Sequence, residues 1–241
     1  MTPKHLIPIC LFFCLFAASC APIKPDNVEE QYDQAVELMD KGQYAQVTPV
    51  LLGLIKENPG TKYSTFAHLL LADSWMGIGG SAENFDAAEI QYRIFLRNSP
   101  GSHLVPYVLS RLIELNYQRN LSNFFNESYA FSRDPGHFRK IVQEYQRFFL
   151  IYPDSLYLKD AEIYLSKAER ALAMHEYLIG KWYLNHKHYP SAIARFEHTL
   201  KEFPNFEQRQ EVLEKLIYAF NLNQQPLRAE EMQRIYQQHF K

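Results

Sequence analysis

Four prolines, Pro59, Pro100, Pro153 and Pro204, each close an apolar-periodic run, and the residues before them recur in register. Twelve residues ahead of each proline stand Val47, Ala88, Ile141 and Ala192; eight ahead stand Leu51, Tyr92, Tyr145 and Phe196. A small or aliphatic residue, a bulky one and then proline, met four times, is an internal repeat. Apolar residues at a helical period make each run a helix, and proline ends it because the residue before a proline is pushed out of the helical region. The proline spacings of 41, 53 and 51 residues leave room for a second helix in each unit. The pattern predicts ten helices and no strands, paired as 27–41 with 44–58, 62–77 with 83–98, 103–119 with 136–151, 156–186 with 189–202, and 206–222 with 225–239. Ala229 opens a fifth unit whose proline is absent, since twelve residues on is Lys241, the last residue. The 156–186 run has no glycine or proline before Gly180 and reads as one long helix bridging two halves.

Helix pairs of this kind cannot bury their apolar faces alone, so neighbours stack and leave a concave surface. The anchors resemble the second helix of a tetratricopeptide repeat, where a small residue lets two helices approach, a bulky one fills the groove and proline ends the turn. The fourth unit resembles it most fully, through Gly180, Tyr183, Ala192, Phe196 and Pro204. The implied fold is all-α, a right-handed solenoid of about five tetratricopeptide-like pairs. Composition agrees: 9 glycines are too few for a turn-dense β-sandwich, and 17 Phe, 16 Tyr and 2 Trp need surfaces to pack against.

The three cysteines, Cys10, Cys14 and Cys20, fall within the first 20 residues. A disulfide framework, a cysteine-based zinc site and a cysteine nucleophile are thereby excluded from the body of the chain. Lys4, the apolar run from Leu6 to Phe16 and then Ala17-Ala18-Ser19 read in order as the parts of a signal peptide, residues 1–19. That run is too short to span a bilayer. Small residues directly before Cys20 resemble the lipobox of bacterial lipoproteins, which implies that cleavage leaves Cys20 to be acylated and palmitate-bearing; the other reading is an ordinary secretory signal cut near the same place. Ala21, rather than Asp, after the cysteine implies by the same resemblance an outer-membrane destination. Residues 20–26 then form a polar, proline-containing tether.

Chemistry is sparse. A net charge of -2 without a long basic run argues against nucleic acid. Gly77-Ile78-Gly79-Gly80 lacks the Lys-Ser/Thr pair of a phosphate loop and reads as an inter-helix connection. His186 and His188 lie in a turn with no neighbouring cysteine or acidic cluster, so no metal, cofactor or catalytic site is expected. The set Tyr145, Phe148, Phe149 and Tyr152 has the spacing of a buried helix stripe. Phe124, Phe125, Tyr129 and Phe131 follow no helical period; in a loop over 121–135 they are either tucked under it or offered to a partner or substrate.

From Cys20 to Lys241 the chain resembles the BamD family of outer-membrane assembly lipoproteins. The resemblance rests on Arg133-Asp134-Pro135, on Tyr152-Pro153-Asp154-Ser155-Leu156-Tyr157 with Asp160-Ala161, and on Leu172-Ala173, Glu176-Tyr177 and Trp182-Tyr183. It implies a non-enzymatic scaffold of the β-barrel assembly machinery, held at the periplasmic face of the outer membrane of a Gram-negative bacterium. By that resemblance the N-terminal repeats, 27–120, receive unfolded barrel substrates. The C-terminal repeats, 136–241, dock on a POTRA domain of the BamA barrel protein beside other assembly lipoproteins. It also implies that Arg195, with Glu197 close by, takes part in that docking; the plainer expectation is a surface arginine bonded to Glu197 or Glu202. A periplasmic repeat lipoprotein acting in peptidoglycan maintenance or cell division is the alternative.

Overall fold

The computed structural model describes residues 27–122 and 135–240, and among them the chain forms ten helices and no strand. They are α1 (Val28–Asp40), α2 (Tyr44–Glu57), α3 (Lys62–Ile78), α4 (Ala82–Asn98), α5 (Val105–Ser122), α6 (Gly136–Ile151), α7 (Leu158–Asn185), α8 (Tyr189–Glu202), α9 (Arg209–Leu222) and α10 (Pro226–Phe240). The expected all-α helical repeat is present, with α5 three residues longer at its C-terminus than its period predicts. The leader with Cys10, Cys14 and Cys20, and the loop aromatics Phe124, Phe125, Tyr129 and Phe131, lie outside the described residues.

The proline turns show why the repeat is visible in sequence. Asn58, Ser99, Tyr152 and Phe203 each stand before a proline, with ψ between 54° and 69°, values that no longer continue a helix. Each donates its N–H to the carbonyl four residues back, on Leu54, Phe95, Phe148 and Thr199, at 2.9–3.1 Å. Each carbonyl then accepts the N–H three residues on, at 3.1–3.4 Å, so one turn is built four times. The opposite turns share a second design. Gly42, Lys187 and Gln224 all take positive φ, of 68°, 62° and 58°, and each is followed by an N–H bond to the carbonyl five residues back. Glycine adopts that conformation freely, whereas Lys187 and Gln224 carry a Cβ there.

Short connections and sequential packing make neighbouring helices antiparallel. The register crosses the longer connection intact: Lys140 meets Glu89, and Glu144 meets Arg93, both 51 residues apart, so α4 and α6 run the same way. The molecule therefore has two edges. Asn27 and the four proline turns lie on one, and the turns at Gly42, Gly79–Gly80, Lys187 and Gln224 lie on the other.

Packing confirms most anchors. Val47, Ala88, Ile141 and Ala192 are fully buried, as are Leu51, Tyr92 and Phe196. Tyr145 is only half-buried; in its unit Phe148 fills the core instead. Phe149 is exposed and lies stacked on Tyr145, so of the expected buried stripe of four aromatics Phe148 alone is buried, Tyr145 and Tyr152 packing against the core half-buried. Gly180 sits so close to Phe196 that a Cβ there would stand 2.5 Å from the ring. Trp75 joins the first two core clusters and Phe203 the last two. The long α7, 28 residues, packs on α5 and α6 in one half and on α8 and α9 in the other, as the bridging role required.

Candidate functional site

A hollow of about 570 Å³ opens among α1, α2, α3 and α5, with Met39, Tyr44, Asp73, Tyr107, Arg111 and Glu114 in its wall. A second, about 270 Å³, shares Tyr107, Arg111 and Glu114 and extends the groove to Tyr157, Asp160 and Tyr164 at the start of α7. A polar knot stands where they join. The Asp73 carboxylate accepts from the hydroxyls of Tyr92, at 2.5 Å, and Tyr107, at 2.9 Å, and from Arg111 Nε at 3.3 Å. Arg111 Nη1 in turn donates to Glu114. Burial pushes the Asp73 carboxyl up, and the hydroxyls and guanidinium around it pull the other way. Burial and the neighbouring Asp73 hold the phenols of Tyr92 and Tyr107 well above the ordinary tyrosine range. Burial and then Glu114 push Tyr164 up to about 12. Across the pH range of living cells these tyrosines stay protonated donors, so the groove offers hydroxyls, one guanidinium and carboxylates beside the thioether of Met39 and the ring of Tyr44. Such a surface suits an extended peptide with both polar and apolar side chains.

Sequence reasoning did not find this knot. Its signal was available: Asp73 follows Leu69-Leu70-Leu71-Ala72 in a helix with apolar residues on most faces, and a charge in such a place has to be paired.

A second network ties α4, α5 and α6 together. Glu89 accepts from Arg93, Arg119 and Lys140 at 2.6–2.9 Å, while Arg119 also reaches Asp86 at 2.7 Å. Arg93 meets Glu144, and Asn116 donates to it at 2.9 Å. Burial would raise the Glu89 carboxyl, but the donors from Lys140, Arg93 and Arg119 outweigh it and bring it down to about 2.

In the C-terminal half, Arg195 on α8 pairs with Glu176 of α7 at 2.7 Å. The expected bond to Glu197 or Glu202 does not form. Residues two apart leave an α-helix in different directions, and Glu197 instead meets Arg228 of α10, while Glu202 meets Lys201. The structure thus brings Arg195 and Glu197 to the same helix but engages them with different neighbours. Glu176 is nearly buried, whereas the Arg195 side chain is 42% exposed. Farther along the same half, Trp182, Tyr218, Leu222 and Leu227 are exposed on the edge opposite the proline turns. Lys181, Lys187 and Lys215 line a cleft of about 330 Å³ with Tyr189 and Tyr218. His186 stacks on Trp182 and bonds the Trp182 carbonyl at 2.8 Å. Among the described residues no group of three His, Cys, Asp or Glu side chains is placed to hold a metal ion. No described helix is long and apolar enough to cross a membrane.

The family model YfiO, an outer membrane lipoprotein, matches residues 25–235. The chain belongs to this family. Among curated proteins, this YfiO-family chain is similar to the outer membrane protein assembly factor BamD of Xylella fastidiosa, 25% identical over 218 residues, which span 84% of this chain and 71% of that one. It is also similar to the BamD assembly factor of Rickettsia prowazekii, 21% identical over 91% of this chain and 85% of that one. A tetratricopeptide repeat protein from Parabacteroides merdae, 13% identical, aligns over 85% of this chain and 77% of its own with a TM-score of 0.33.

Proposed function

We propose that the protein is a non-enzymatic scaffold in the assembly of outer-membrane β-barrel proteins, anchored through acylated Cys20 to the periplasmic face of the outer membrane of a Gram-negative bacterium. The observation that carries this reading is the family match over residues 25–235, joined by similarity to assembly factors over most of the chain. Two surfaces divide the work. The groove around Asp73, Tyr107 and Arg111 receives an extended segment of an unfolded barrel protein. The last two repeats, with Arg195 and Glu197 on α8, dock on a POTRA domain of the BamA barrel protein, next to other assembly lipoproteins. The aromatic segment carrying Phe124, Phe125, Tyr129 and Phe131 adds a contact for partner or substrate.

A mild-detergent pull-down of the tagged full-length protein from its own envelope tests the reading, with Cys20→Ala beside it. Recovery of a POTRA-containing barrel protein is the expected result, and loss of membrane retention is expected for Cys20→Ala. Recovery of cell-wall or division proteins in its place would overturn the assembly role. Docking through Arg195 needs a variant that respects Glu176, because reversing the charge alone would set two carboxylates together at a nearly buried site. The double change Arg195→Gln with Glu176→Gln keeps a hydrogen-bonding pair. It should weaken association by about thirtyfold or more, the lower end of the range of about 2 to 5 kcal/mol for a broken interfacial charge pair. Unchanged association would remove Arg195 from the interface.

A further inference from the structure

The edge that carries Asn27 also carries the most exposed large apolar side chains of the described residues. Leu156 is 90% exposed and Leu150 81%, with Ile151 and Phe149 more than half exposed beside them, around the proline turn between α6 and α7. The fold does not require them. Counted from the proline, the places of Leu150 and Ile151 hold Lys56 and Glu57, Arg97 and Asn98, and Lys201 and Glu202 in the other three repeats. The place of Leu156 holds Lys62, His103 and Glu207. The same turn is thus built three times with polar residues at these positions and once with aliphatic ones, and a cluster of exposed aliphatic side chains of this kind marks a contact surface.

Chain direction says what covers it. Asn27 starts α1 on this edge, seven residue steps along the chain from Cys20. An extended segment of that length reaches at most about 25 Å. We propose that the α6–α7 turn is a second membrane contact, with Leu150, Ile151 and Leu156 seated in the headgroup and upper acyl region of the bilayer that holds the lipid anchor. This rests on the reading of Cys20 as acylated. Exposed charges near the turn balance, Arg147 and Lys159 against Asp154 and Asp160, so the contact draws on apolar insertion and should change little with salt.

The test supplies the tether chemically. No cysteine follows Cys20, so in a mature chain with Cys20→Ser and a hexahistidine segment in place of the leader, one introduced cysteine is the sole labelling site. The chain is held on vesicles of phosphatidylethanolamine and phosphatidylglycerol doped with nickel-chelating lipid, and an environment-sensitive dye is placed at Leu156→Cys or at Leu227→Cys. Leu227 is 79% exposed on the opposite edge. The dye at 156 should shift to the blue and be quenched more than twofold by brominated lipid, while the dye at 227 should stay in water. Leu150→Lys, Ile151→Glu and Leu156→Lys together copy the first repeat, so the fold should tolerate them, and untethered flotation with the vesicles should fall fivefold or more. A dye at 156 that remains in water on tethered protein overturns the contact; so does concentration-dependent shielding without vesicles, which would make a second copy the occupant. Finding Cys20 unacylated in the cell removes the anchor, an outcome separate from either.

Discussion

The two halves of the solenoid treat charge in opposite ways. From α3 to α6 ionic groups are drawn into the packing: Arg119 is almost fully buried among Glu89 and Asp86, and Asp73 is closed in by two tyrosines and Arg111. From the second half of α7 to α10 the core is one cluster of twelve buried apolar residues around Phe196 and Phe220, and, Glu176 with Arg195 apart, pairs such as Arg170–Glu207 and Arg228–Glu197 stay at the surface. Buried pairs are weak as a source of stability, yet they fix which groups face one another. The first half therefore gains a defined polar groove. The second gains a firm platform whose surface charges remain available to a partner.

The sharpest way to break this contrast is to empty one core and then the other. Phe196→Ala should cost about 3 to 5 kcal/mol by urea denaturation, because the ring is fully buried and its removal opens a cavity in the core. A cost below 1 kcal/mol would mean that the second half does not depend on its apolar core.

Next in size is the ionic half. Glu89 has a folded-state pKa of about 2 against an ordinary 4.5, so its contribution is complete above pH 4.5 and lost as the pH falls toward 2. With the shift discounted for partial exposure, Glu89→Gln should cost about 2 kcal/mol at pH 7 and flatten the acid limb of the stability profile between pH 4.5 and 2. Arg170→Ala in the other half should cost no more than about 0.5 kcal/mol, since both partners of that pair are more than half exposed. Equal losses for the two variants would erase the distinction.

The smallest effect concerns a turn. Lys187→Gly should raise stability by about 0.5 kcal/mol, the relief of the left-handed backbone at φ 62° being partly offset by a freer unfolded chain. A loss of stability on calorimetry would show that the Lys187 side chain contributes to the nearby basic cleft.

What was legible in the sequence follows the same division. Helix spans and proline turns could be read because they depend on neighbours within one turn of helix and on a residue that cannot continue one. The long α7 followed from the lack of glycine and proline before Gly180. The resemblance was carried by residues around Pro153 and along α7, and the family match spans these same segments. The Asp73 knot and the Glu89 network were not legible, because Asp73 and Arg111 stand 38 residues apart and Glu89 and Lys140 stand 51 apart. Their meeting depends on the offset between stacked helices, which no local period records. Arg195 shows the same limit. Its helix neighbours suggested Glu197 and Glu202, but the partner, Glu176, comes from the preceding helix, 19 residues back.

Each described helix runs opposite to the described helix before it, and that alternation limits how a gene for such a protein can be edited. Removing or adding a single helix would exchange the two edges for every turn that follows, carrying Leu156 to the far side from Asn27 and Leu227 to the near side. Only whole pairs can be gained or lost while each later surface keeps its address, so the helix pair is the smallest unit by which this molecule can change length.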